Sequence, residues 1–165
     1  SIQNKIIFYD LSEEVNVKVD QDWAPTYPSI EYYKNQTYFN LAKSAFKQLF
    51  HSGLDTTMLF GDHMVYGEAC GYAGEDPQGK KQMDNLVELK DKATILTWLQ
   101  SSITEKQVYA VDGLWQLTKQ GIKLSDTEKQ IIAYIMNKKG SVNTCAGCMH
   151  YRREIKDVVK KFVFN

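Results

Sequence analysis

Cys145-Ala146-Gly147-Cys148 is the tightest grouping of reactive side chains in the chain. A two-residue gap lets both sulfurs turn toward one metal ion or close a redox disulfide, and a helix beginning just after would lower a thiol pKa. Zinc would need two further ligands, drawn from Cys70, His63, His51 and His150. Thioredoxin-like redox work needs a strand before the motif inside an α/β sheet, and haem attachment needs histidine where Met149 stands. Neither requirement is met by the pattern. A structural bridge is also open: Cys70 joined to Cys145 or Cys148 would tie a glycine-rich loop to the C-terminal turn. So long a loop could contribute about 4 kcal/mol.

Other groupings are looser. Gly61 to Cys70 gathers Asp62, His63, Glu68 and Cys70. Cys70 and His63 could be nucleophile and base, provided the fold brings them within hydrogen-bond reach. Asp62 is not expected to orient His63, because sequence neighbours on a helix point apart. Gly74-Glu75-Asp76-Pro77-Gln78-Gly79-Lys80 has the spacing of a phosphate-binding loop, but Lys81 stands where a hydroxyl should hold magnesium. Glu75 and Asp76 would repel phosphate and Pro77 removes an amide donor, so a solvated turn is expected. Asn35-Gln36-Thr37 fits the glycosylation triplet.

The elements that must position these groups sit in a chain of 165 residues, in which 20 basic residues balance 20 acidic ones. One domain spanning 1–165 is the simplest organisation at this length. With no net field, neither nucleic acid nor an anionic membrane is expected as the main partner. Arg152-Arg153 followed by Glu154 reads as a solvated face. No apolar run approaches the roughly 20 residues that a transmembrane helix needs. A chain opening at Ser1 is expected to be a trimmed or processed form, with a lean toward an exported or periplasmic setting that permits disulfides.

Lys90 to Gly140 reads as three amphipathic helices. The first carries Ala93, Leu96 and Leu99. The second opens at Thr104 and presents Val108, Val111, Leu114, Trp115 and Leu117 before Gly121. The third opens at Ser125 and presents Ile131, Ile132, Ile135 and Met136 before Gly140. Capping boxes are expected at Thr104 with Gln107 and at Ser125 with Glu128. An earlier helix follows Asn35, with Tyr38, Phe39, Ala42, Phe46 and Phe50 among its apolar positions, and Asp55 could cap a short one through Met58, Leu59 and Phe60. Residues 1–34 instead form an extended arm, where Ile6 to Tyr9 and alternating Val15, Val17 and Val19 suit strands or a hairpin. Ser141 to Cys148 reads as a turn, followed by a helix carrying Ile155, Val158, Val159 and Phe162.

Ile95 to Gly121, with Gln107-Val108-Tyr109-Ala110-Val111-Asp112-Gly113-Leu114 inside it, resembles a HEAT-like helical hairpin. The resemblance covers a minority of the chain and implies a scaffold that binds other proteins, with Gly113 admitting a close neighbour. The expected fold is therefore mainly α: a helical bundle, 35–165, with HEAT-like antiparallel packing behind the 1–34 arm. The expected function is a small interaction module without catalytic activity or cofactor, an exported accessory or toxin-neutralising protein with an unknown protein partner. Its binding residues would be Trp23, Tyr27, Tyr32 and Tyr33, with Trp115 as a core alternative. The rival is a zinc-binding or thiol-redox protein using Cys70, Cys145 and Cys148, with His63 or His150.

Overall fold

β-branched alternation and proline make the start of the chain extended, and in the computed structural model its described part forms strands, with Ile6 and Ile7 of the expected first strand outside the described residues. The structure describes residues 8–19, 22–26, 28–56, 64–71 and 73–164. They divide into two compact units, Ser1–Gly53 and Leu54–Asn165. In the first unit, β1 (Phe8–Ser12), β2 (Val15–Val19), β3 (Asp22–Thr26) and β4 (Ser29–Lys34) precede α1 (Gln36–Phe50). β2 pairs with β3 as a hairpin, and β1 pairs with β4, both antiparallel. Pro25 lies opposite Asn16 in this two-stranded ribbon, where a missing ladder donor is tolerated. Asn35 caps α1, its side chain accepting from the Tyr38 amide at 3.2 Å, and left-handed His51 closes the helix. The expected short helix after Asp55 falls at 57–60, outside the described residues.

The second unit runs β5 (Tyr66–Cys70), α2 (Gln78–Glu88), α3 (Lys92–Leu99), α4 (Thr104–Lys119), α5 (Asp126–Asn137), β6 (Ser141–Gly147), β7 (Met149–Glu154) and α6 (Ile155–Val159). Asp91 caps α3 by accepting from the Thr94 amide at 3.0 Å. Ser125 and Glu128 form the expected capping box of α5. The box expected at Thr104 does not form: Thr104 is already helical, and Gln107 instead donates to the Ser101 carbonyl at 2.7 Å. Apolar helix α4 is the centre of this unit. Val108, Tyr109, Ala110, Val111, Leu114 and Leu117 are all fully buried on it. Ile95 and Leu99 of α3 and Met83 of α2 pack around them as buried partners, and a Cβ on Gly113 would overlap Met83 Sδ.

A mainly helical bundle is not what the chain builds. Among the described residues there are seven strands, and the second unit carries a mixed three-stranded sheet in the order β5-β6-β7. The fold is mixed α/β. β5 runs parallel to β6, with α2 to α5 forming the crossover, and β6 turns back antiparallel into β7. The expected turn at Ser141 to Cys148 is therefore mostly strand. Val142, Thr144 and Cys145 of β6 are buried, whereas all six residues of β7 are exposed.

Gly67 is where the sheet is tightest. A Cβ there would sit 2.7 Å from both the carbonyl oxygen and the sulfur of Cys145. Gly67→Ala is expected to lower stability by about 2 kcal/mol through overpacking, read as a fall in urea midpoint. Gly53→Ala, which meets nothing within 4 Å, should leave the midpoint unchanged or slightly raised. Equal midpoints for the two variants would contradict this packing.

Candidate functional site

Four polar residues of α4, Glu105, Tyr109, Asp112 and Gln116, are spaced four, three and four apart and so share one helix face. That face meets the sheet. Glu105 Oε1 accepts from the Asn143 amide of β6 at 2.8 Å. The Tyr109 hydroxyl donates to the Val65 carbonyl at 2.9 Å and accepts from the Gly67 amide at 3.1 Å. Asp112 accepts from the Tyr66 hydroxyl at 3.1 Å and from Gln116 Nε2 at 3.0 Å. Lys138, at the end of α5, donates to Gln107 Oε1 and Thr104 Oγ1. Among the described residues no buried side-chain polar atom lacks a partner.

These contacts set the proton affinities. Burial, then the charge of Asp112 and its hydrogen bond, hold the Tyr66 phenol far above its usual range. Burial pushes Tyr109 up to about 12, opposed by the hydrogen bond from Gly67 and assisted by Asp112. Burial lowers Lys138, with Glu105 pulling the other way.

On the sheet, the pairing Tyr66↔Thr144↔Tyr151 places three side chains in one row across the strands. The row lies in a cleft of about 530 Å³ whose lining includes Glu68, Cys145, Arg152, Arg153 and Lys161. The pair Arg152-Arg153, expected as a plain solvated face, thus borders a concavity. Lys161 Nζ stands 5.8 Å from the Tyr66 ring centre and 3.9 Å from Glu68 Oε1. β7 forms the outer edge of the sheet. No helix among the described residues is long and apolar enough to cross a membrane.

Cys70 and Cys145 are joined in a disulfide, with Cα atoms 5.5 Å apart. Cys148 is a free, exposed thiol at the β6–β7 turn. His150 is exposed and directly opposite Cys145 in the register. His63 lies outside the described residues, and the Cys70 sulfur is held in the bridge, so it offers no thiolate to His63. Ala69, between Gly67 and the bridge, takes a left-handed φ of 52° and donates its amide to Asp76 Oδ1 at 2.9 Å. The glycine-lysine segment, expected as a solvated turn, is one only at its start: Glu75 forms a β-bridge with Cys70, and Gln78, buried Gly79 and Lys80 open α2, where Lys80 pairs with Asp84 at 2.6 Å.

Trp23 is on β3, Tyr32 and Tyr33 are exposed neighbours on β4, and Tyr27 lies outside the described residues. Trp115 is half-buried and donates Nε1–H to the Val163 carbonyl at 3.1 Å. Sequence reading missed the cleft because β7 has no apolar alternation to announce a strand.

Both raised phenols keep their protons in the folded chain at a pH where the unfolded chain loses them. Their contribution to stability is intact below about pH 10 and is lost as pH rises through the folded values. The urea midpoint of the native sequence should therefore fall more steeply between pH 10 and about 12 than that of Tyr109→Phe. Parallel curves for the two proteins would contradict it. Compared with known proteins, the chain matches no protein-family model, no curated protein and no solved structure.

Proposed function

We propose that the chain is a protein-interaction module with no catalytic work of its own, exported to an oxidising compartment, and that it docks a protein partner on the outer edge of β7. The observation that carries this reading is β7 itself. Six consecutive exposed residues, Met149 and Tyr151 among them, lie at a sheet edge. An edge strand presents a row of backbone donors and acceptors that another chain can pair with. The Cys70–Cys145 bridge, which spans a separation of 75 residues, supports the oxidising setting and holds β5 on β6 behind that edge. An accessory subunit of an exported complex or a toxin neutraliser is a role such a surface serves.

A second reading, thiol exchange, is favoured by the exposed Cys148 three residues beyond the bridged Cys145. The Cys148 thiolate would attack the Cys145 sulfur, forming Cys145–Cys148 and releasing Cys70 as a thiolate. Among the described residues no three such side chains are placed to hold a metal ion, so zinc would need the bridge reduced and Cys70, Cys145, Cys148 and His150 brought together. The mark of exchange would be a Cys145–Cys148 bridge accumulating in a glutathione buffer. Zinc held by the reduced chain would favour the metal alternative.

A photo-crosslinking amino acid placed at Tyr151, in cells that make the protein, is expected to give one discrete protein adduct. The same group at exposed Lys119 of α4 should not give it. No adduct from Tyr151, or the same products from both positions, would overturn the interaction reading.

A further inference from the structure

The only two arginines of the chain, Arg152 and Arg153, and Lys161 line a cleft that reaches β7. Strand side chains alternate, so Arg153 stands on the same face as Tyr151 and extends the Tyr66–Thr144–Tyr151 row along the edge. Arg152 is tethered to Asn143 Oδ1 by Nε at 3.5 Å. Among the described residues neither arginine has a carboxylate within ion-pair reach. The one acidic side chain in the lining, Glu68, is exposed and sits 3.9 Å from Lys161. Arg153 and Lys161 against Glu68 leave one positive charge in excess on that face, in a chain whose total charge is zero.

Two features therefore meet at one place: a strand edge left unpaired among the described residues, and a cationic cleft over the sheet that reaches it. We infer that this site takes an extended acidic segment of a partner protein, added as a strand along β7, with carboxylates at every second position facing Arg153, in the positive field that Lys161 adds from across the cleft. An added strand shares the period of two, so alternate side chains reach the cleft while the others face away. Arginine forks suit carboxylates, and Tyr151 offers its ring to the aliphatic part of glutamate. Glu68 competes weakly for Lys161 in the unoccupied site. The inference rests on β7 being the docking edge, and it adds the chemistry of the partner.

The probe is the peptide acetyl-Thr-Glu-Thr-Glu-Thr-Glu-amide, followed by the backbone amide signals of Met149 to Glu154 in the full chain. Saturable shifts confined to β7 and its cleft are expected, weakening as salt screens the pairing. Arg153→Gln should weaken binding about fivefold, the size of one exposed ion pair. Glu68→Gln should tighten it. Both residues are exposed, so the variants are expected to fold, and circular dichroism checks that they do. Equal binding of the lysine counterpart, equal potency of free glutamate, or affinity indifferent to Arg153→Gln and Glu68→Gln would overturn the inference. If the peptide fails while the Tyr151 crosslink still yields its adduct, the acidic partner is wrong and the docking edge stands. If both fail, the edge falls with it.

Discussion

The second unit depends on a polar stripe that faces inward. Glu105, Tyr109 and Asp112 lie on the most deeply buried helix and reach the amide of Asn143, the carbonyl of Val65, the amide of Gly67 and the hydroxyl of Tyr66. Each such bond contributes about 1 kcal/mol net, but a buried group left without its partner costs about 1–3 kcal/mol. The stripe therefore acts chiefly by discrimination. A sheet shifted by one residue would strand several buried groups together, so α4 fixes the register of β5 and β6 as well as packing against them.

That register has to be reached across a long stretch of chain. β5 and β6 are parallel neighbours separated by four helices, and such pairing forms only after the crossover is in place. The Cys70–Cys145 bridge shortens this search once formed, and Gly67 is what lets the sulfur lie against the strand. Bridge, glycine and stripe converge on the same short piece of β5. The consequence at the surface is β7, which has little burial of its own and is held by its pairing to β6.

Most helices were legible, but α2 (Gln78–Glu88) was not, because its start was read as a glycine-rich turn. Ser125 and Glu128 marked the start of α5, Asn35 marked α1, and the fully buried Val108, Val111, Leu114 and Leu117 followed the apolar spacing. Gly113 as a point of close approach was legible too, although the neighbour is Met83 rather than backbone. The sheet was not. Glu105, Tyr109, Asp112 and Gln116 have the spacing of a solvated helix face, and only tertiary structure reveals that strands cover it. Ser141 to Gly147 reads as a turn because serine, asparagine and glycine dominate what is needed for punctuation, and Met149 to Glu154 is polar on both faces. The cysteines were legible as a possible bridge, with the choice between Cys145 and Cys148 left open until the fold placed Cys145 beside β5.

A sheet fastened from behind and open at its edge is consistent with a molecule that presents a surface. The fastening is tested most directly at one atom, the amide proton of Gly67. Hydrogen exchange measured by NMR should show that proton protected in the native chain and exchanging at least tenfold faster in Tyr109→Phe, with the amides of α4 unchanged. A Gly67 amide that already exchanges at the rate of an unstructured peptide, or that ignores the loss of the Tyr109 hydroxyl, would contradict the account.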